Sequence, residues 1–276
     1  MAQTKTDVCN LALTHVGGAP PFLVDVASDT SKEAKLFRQV VDESRRVVLR
    51  THPWNFAMDR AKFVLKIITN CVNNGVGLIR VTAVGHGRAT SDFVTVAEVM
   101  GTAEANGQWT ITVINVDNFD LQGSAFANTY ASGGVVGLAP TFGFIFKHPL
   151  PVNFIRLIDI DPTLRPEFEV EGAFIVTDET VLEVRYVRDI FASITDYSTM
   201  DATFYQVLAL HLAWSVSYPL TQSSRVKESL WENFTTALGR ARNQDSTEAP
   251  RKTMSADLWD ESRLSGSFRP DRNPLP

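Results

Sequence analysis

Cysteine is scarce in this chain. Cys9 and Cys71 are the only two in 276 residues, too few for a disulfide framework or a four-ligand zinc site. A reduced compartment, or the absence of any redox role, is the simplest reading. Long apolar runs are also missing. No stretch approaches the roughly eighteen uninterrupted apolar residues of a membrane span, and the first thirty residues lack the basic and apolar blocks of a signal peptide. No membrane partner is expected. Positive charge is not in excess: 26 Lys and Arg against 31 Asp and Glu leave a net charge of −5. That balance argues against gripping nucleic acid by charge neutralisation, while leaving room for a surface that DNA merely passes. With 44% apolar and 21% charged residues, the composition is that of a folded chain, neither disordered nor collagen-like. A chain this long buries about 70–75% of its unfolded surface, so it needs neither disulfides nor metals to hold a core.

The residues of chemistry are equally sparse. Of five histidines, His15, His52, His86, His148 and His211, no two stand at the i, i+4 spacing of a helical metal site. His15 and His211 fall on helix faces with apolar neighbours, where a hydrogen-bonded structural role is expected. Cys9 lies on an apolar helical face, where buried thiols are inert. The phosphate-loop pattern is absent. Gly75-Val76-Gly77 and Gly85-His86-Gly87 lack the third glycine and the following helix of a dinucleotide turn. There is no Gly-x-Ser-x-Gly elbow. Asp159-Ile160-Asp161 lacks the remaining ligands of a calcium loop, and Asp178 and Glu179 read as a hairpin turn. Arg45-Arg46 reads as a solvated helix face. No catalytic residue, cofactor or metal is therefore expected, and the chain is not expected to be an enzyme.

What is present is a clear order of elements. Thr4-Lys5-Thr6-Asp7 has capping-box spacing, and Val8, Leu11, Ala12 and His15 continue at helical period until Gly17-Gly18. A second helix begins near Asp29-Thr30-Ser31, with Phe37, Val40, Val41, Ser44 and Val48 on one face, and Pro53 ends it. His52, Pro53, Trp54 and Phe56 form an aromatic cluster of the kind found in a core or an interface. From about Asn73 to Leu138, glycine-punctuated β-type segments follow one another. Residues 142–189 also read as β. In Val181–Val187 the period of two puts Val181, Glu183, Arg185 and Val187 on one face and Leu182, Val184 and Tyr186 on the other. Two helices close the pattern. The first is capped by Asp196 or Ser198, is apolar around much of its circumference and ends at Pro219. The second runs from about Ser223 to Asn243. Residues 247–276 read as an arm without its own core.

Several of these segments carry a family likeness. Val8-Cys9-Asn10-Leu11-Ala12-Leu13 with Gly17-Gly18-Ala19-Pro20, then Ser31-Lys32-Glu33-Ala34, and above all Leu49-Arg50-Thr51-His52-Pro53-Trp54-Asn55-Phe56-Ala57 resemble phage head-to-tail adaptor proteins, also called tail tubular protein A. Phe144 to Pro151, Phe154-Ile155-Arg156-Leu157, Phe168-Glu169-Val170-Glu171-Gly172, Ile175-Val176-Thr177-Asp178 and Val184-Arg185-Tyr186-Val187 fit the same pattern. The likeness covers roughly residues 3–65 and 142–245. The intervening run, Gly77 to Thr82, Gly107-Gln108-Trp109 and Phe119 to Ser124, is similar to a small β-domain inside ubiquitin-activating enzymes and implies none of their chemistry.

The resemblance implies an α+β fold: a four-helix-type bundle with a β-hairpin or small sheet, interrupted by a small all-β insert. The expected division is a discontinuous adaptor core of residues 1–70 plus 140–245, an insert of 71–139 and an arm of 246–276. The implied function is a virion structural protein at the head-tail interface, assembled in the host cytoplasm. It would form a homo-oligomeric ring, expected dodecameric, beneath the portal protein. There it would continue the DNA channel without binding DNA specifically and carry tail or nozzle proteins below. Leu258, Trp259 and Leu264 in the arm are the portal-interaction candidates, since aromatic anchors dominate interface energetics. The rival expectation is a carbohydrate-, decoration- or host-surface-binding module acting through the insert, with Trp109 and Tyr130 as its contacts.

Overall fold

The computed structural model describes residues 4–18, 22–160, 166–191, 197 and 200–248. Leu258, Trp259 and Leu264 lie outside them. Four α-helices occur among the described residues: α1 (Lys5–Val16), α2 (Lys32–Thr51), α3 (Ala202–Thr221) and α4 (Ser224–Glu248). The Thr4 side chain accepts from the Asp7 N–H, and the Asp7 carboxylate accepts from the Thr4 N–H at 2.7 Å, which satisfies the orphan donors of the first turn. Ser31 caps α2. The α3 cap is Asp201, not Asp196 or Ser198; its carboxylate accepts from the Thr203 and Phe204 N–H groups. Pro219 lies inside α3 and does not end it. So near the C-terminus its missing N–H forfeits one bond, and the helix closes at Gln222 in the left-handed region.

The strands are β1 (Met58–Val64), β2 (Lys66–Ile67), β3 (Asn70–Asn73), β4 (Ile79–Thr82), β5 (Phe93–Met100), β6 (Gly107–Val113), β7 (Asn118–Leu121), β8 (Ser132–Leu138), β9 (Phe146–Pro149), β10 (Phe154–Ile160), β11 (Phe168–Glu171), β12 (Phe174–Thr177) and β13 (Val181–Arg188). β1, β13 and β10 form an antiparallel sheet in that order. Its one face joins the helices: Val187, Ile155 and Ile158 pack into the core of Phe37, Val48, Trp54, Phe204 and Leu208. The other face presents Leu182, Val184 and Tyr186, which pack with Ile175 of β12.

The remaining ten strands make one sheet, and much of it closes on itself. β2 and β3 belong to one stretch of chain broken at Ile68-Thr69. β2 pairs with β8, the Ile68 N–H continues that ladder to the Gly134 carbonyl at 2.8 Å, and β3 then pairs with β4. The path β8-β5-β6-β7-β4-β3 is thereby bridged end to end, which removes its free edges. Ile68, Val81, Val96, Ile111, Phe119 and Val136 fill the interior. Glycine is required where the seam closes. Gly134 has φ +103°, and a Cβ there would sit 2.7 Å from Val99 Cγ2 and 3.1 Å from Ile68 Cβ. From β8 the sheet extends outward through β9, β12 and β11.

The expected four-helix bundle with a small insert is therefore wrong. Two sheets of three and ten strands stand beside the four helices, and the large sandwich-like β-region is the dominant feature. Its strands β9, β12 and β11 come from beyond the expected insert, yet they continue the same sheet. The helices share their core with a sheet instead of enclosing one among themselves. The cause is strand pairing at a distance. Alternation marks which residues form strands but not which neighbour each strand will pair with.

One junction of this fold buries a histidine. His148 on β9 is 4% exposed and stacks near Phe63 with ring centroids 5.5 Å apart. Its Nε2 and the Nε of Arg88 are both buried without a hydrogen-bond partner among the described residues. Burial pushes the His148 pKa below its ordinary 6.5, a backbone hydrogen bond at Glu179 works the other way, and the Arg88 charge pushes it down again. His211 is lowered too, by burial. Below about pH 6.5 the unfolded chain binds more protons than the folded one, so stability is full above that value and is lost as pH falls through the depressed values. Urea midpoints measured from neutral to mildly acid pH should fall accordingly, and His148→Gln should flatten the slope.

Candidate functional site

The most specific sequence segment, His52 to Phe56, turns the chain sharply between α2 and β1. Pro53 prevents α2 from continuing, and Trp54 swings back under the helix. Trp54 is fully buried, and its Nε1–H donates to the Val48 carbonyl at 3.1 Å. Its ring meets Phe204 edge-on, with centroids 5.1 Å apart. Phe56 packs edge-on against the same ring at 4.9 Å. His52 and Pro53 are half-buried beside them.

The same turn clamps the far end of α4. Asp245, buried in the last turns of that helix, faces the His52 Nε2 at 2.9 Å and accepts from the Asn55 N–H at 3.0 Å. The Asn55 Nδ2 donates to the Asp245 carbonyl at 2.7 Å. The Arg242 guanidinium donates to the Thr51 carbonyl at 3.1 Å. A buried carboxylate with several donors is an interaction worth far more than a surface pair. This clamp fixes the C-terminal end of α4, the last of the described residues. Sequence reasoning grouped His52 with its aromatic neighbours and missed Asp245, because 193 residues separate the partners.

A second polar centre was also missed. Arg45, expected on a solvated face, is 3% exposed. Its Nε and Nη2 grip the two Asp189 oxygens at 2.9 Å each, and its Nη1 reaches Asp42 at 2.6 Å and the Tyr197 hydroxyl at 3.3 Å. Lys5 closes the chain on Asp42 at 2.9 Å, so α1, α2 and the segment after β13 are tied together. Burial alone would favour a neutral guanidine. The hydrogen bonds and charge of Asp189 outweigh it and hold the Arg45 pKa above its ordinary value. Arg46 does remain exposed.

No family model matches this chain, and no curated protein matches it in sequence.

Among the described residues no group of three or more His, Cys, Asp or Glu is placed to hold a metal ion. Burial pushes the Cys9 thiol up to about 12 and the Cys71 thiol to about 11, so neither is a thiolate near neutral pH. His15 is exposed, and His211 is buried with its Nδ1 unpartnered among the described residues; neither has the hydrogen-bonded core role expected. Trp109 is half-buried with its Nε1–H given to the Ala105 carbonyl at 2.8 Å. The Tyr130 hydroxyl bonds the Ile68 and Gly133 carbonyls. Both side chains are thus engaged within the β-region. No helix is long and apolar enough to cross a membrane among the described residues.

Proposed function

We propose that this protein is a virion head-to-tail adaptor. It assembles as a homo-oligomeric ring beneath the portal, continues the DNA channel and carries tail components below. The observation that carries the reading is the clamp at Asp245. The His-Pro-Trp-Asn segment, which most resembles the adaptor family, spends its polar groups on pinning the end of α4. A fixed point of departure suits an arm that docks on a neighbour, because pre-organisation reduces the ordering cost of binding. Leu258, Trp259 and Leu264 supply the arm's apolar anchors, and the net charge of −5 suits a wall that DNA slides past.

The reading is tested by deleting residues 249–276. Retention of the truncated chain by immobilised portal should fall at least about tenfold, as loss of an aromatic anchor commonly costs, while its far-ultraviolet spectrum and urea midpoint stay those of the full chain. Undiminished retention would remove the arm from the interface.

A further inference from the structure

Two surfaces among the described residues carry opposite charge. The first is part of the three-stranded sheet, on the side that elsewhere packs against the helices. There Arg60, Lys62, Glu183, Arg185 and Asp159 line an open groove of about 350 Å³. Lys62 and Glu183 pair at 2.7 Å, so they neutralise one another. Arg60 and Arg185 stand directly opposite across β1 and β13, and neither guanidinium has a partner among the described residues. Like charges facing across a sheet are destabilising unless something neutralises them. Three cations against two acids leave this groove positive in a chain that is negative as a whole.

The second surface is β11, the outermost strand of the large sheet. All four of its residues are exposed, and among the described residues only its inner side is paired, to β12. Glu169 and Glu171 share one face of it, and neither forms an ion pair among the described residues. Phe168 and Val170, on the opposite face, are 38% and 45% exposed. An edge strand with apolar side chains and free ladder groups is a ready template for another chain.

We infer that these two surfaces meet between copies: β11 of one molecule lies in the groove of the next, with Glu169 and Glu171 against Arg60 and Arg185. The occupant is a second copy because the same chain carries both signs in matching form. The surfaces differ from one another, so the contact is head-to-tail, the type that propagates around a ring. This inference rests on the ring reading and names its subunit contact.

Complementary charge reversal tests it. One variant carries Glu169→Lys and Glu171→Lys, the other Arg60→Glu and Arg185→Glu. Glu169, Glu171 and Arg60 are exposed and Arg185 is half-buried, and circular dichroism checks that both variants fold. Sedimentation velocity over a concentration series then reads assembly. Each variant alone should need about tenfold or more protein than wild type to assemble, because like charges meet at every contact. An equimolar mixture should assemble near the wild-type concentration with one-to-one composition, because every contact then pairs opposite charges. If each variant assembles like wild type, or the mixture stays dispersed while wild type assembles, the contact is overturned, and the glutamates only guard an edge. A wild-type protein that never assembles overturns the ring reading itself, and this contact with it.

Discussion

Trp54→Ala should destabilise the protein by about 3–5 kcal/mol, the range for removing a buried Trp or Phe from a packed core. The site allows little collapse to refill the space. Trp54 is fully buried between α2, α3 and the turn after α2, against rigid rings of Phe204 and Phe56. Its indole N–H also donates to the Val48 carbonyl, a bond the variant forfeits although the Thr51 hydroxyl still reaches that oxygen at 2.7 Å. Because the same turn holds Asn55 and His52 against Asp245, the loss should spread to the end of α4. The measurement is the urea midpoint, accompanied by hydrogen exchange. Expected is a large fall in midpoint together with faster exchange in residues near Asp245. Trp54→Phe should lose much less, since it keeps most of the ring area and forfeits one hydrogen bond of about 1 kcal/mol.

Asp189→Ala should cost a comparable amount, about 3–5 kcal/mol, for a different reason. It removes the buried carboxylate that takes the Arg45 Nε and Nη2 hydrogen bonds, and a buried charge deprived of its buried counter-charge is far worse than no charge at all. Asp42 stays on Nη1 at 2.6 Å but offsets only part of the loss, because it is half exposed and already shared with Lys5. The double replacement Arg45→Met with Asp189→Leu should recover most of the loss, since a well-packed apolar pair is often as stable as a buried ion pair. Thermal midpoints of the single and double variants decide it. A double variant no better than Asp189→Ala would mean that the pair's geometry, and not its charge, holds α2 to the segment after β13.

Local signals were legible in the sequence, and distant pairings were not. The capping box at Thr4 and Asp7, the stop at Gly17 and the two faces of β13 all depend on residues within a few positions of one another, and each is found as read; of the three N-caps open at Asp29, Thr30 and Ser31, Ser31 is the one used. Arg45 was misread because helical period alone assigns it to the polar face, whereas its partner Asp189 lies 144 residues away. β1, β2 and β3 went unread. Their stretches carry Lys62, Lys66, Asn70 and Asn73 among the apolar residues, and β2 is only two residues long. The closure of the β-region depends on the break at Ile68-Thr69, which lets one stretch of chain pair with β8 and then with β4. Nothing in the composition of that break announces it. The extension through β9 was missed for the same reason, and with it the fold class. In the candidate site, the aromatic half of His52–Phe56 was legible and its acidic counterpart on α4 was not.

The adaptor reading stands or falls on assembly. Purified full-length protein, alone and mixed with portal, should be imaged by negative-stain electron microscopy. Closed rings of this subunit, stacked beneath the portal when portal is present, are the predicted result. Persistent monomers that ignore the portal would contradict it.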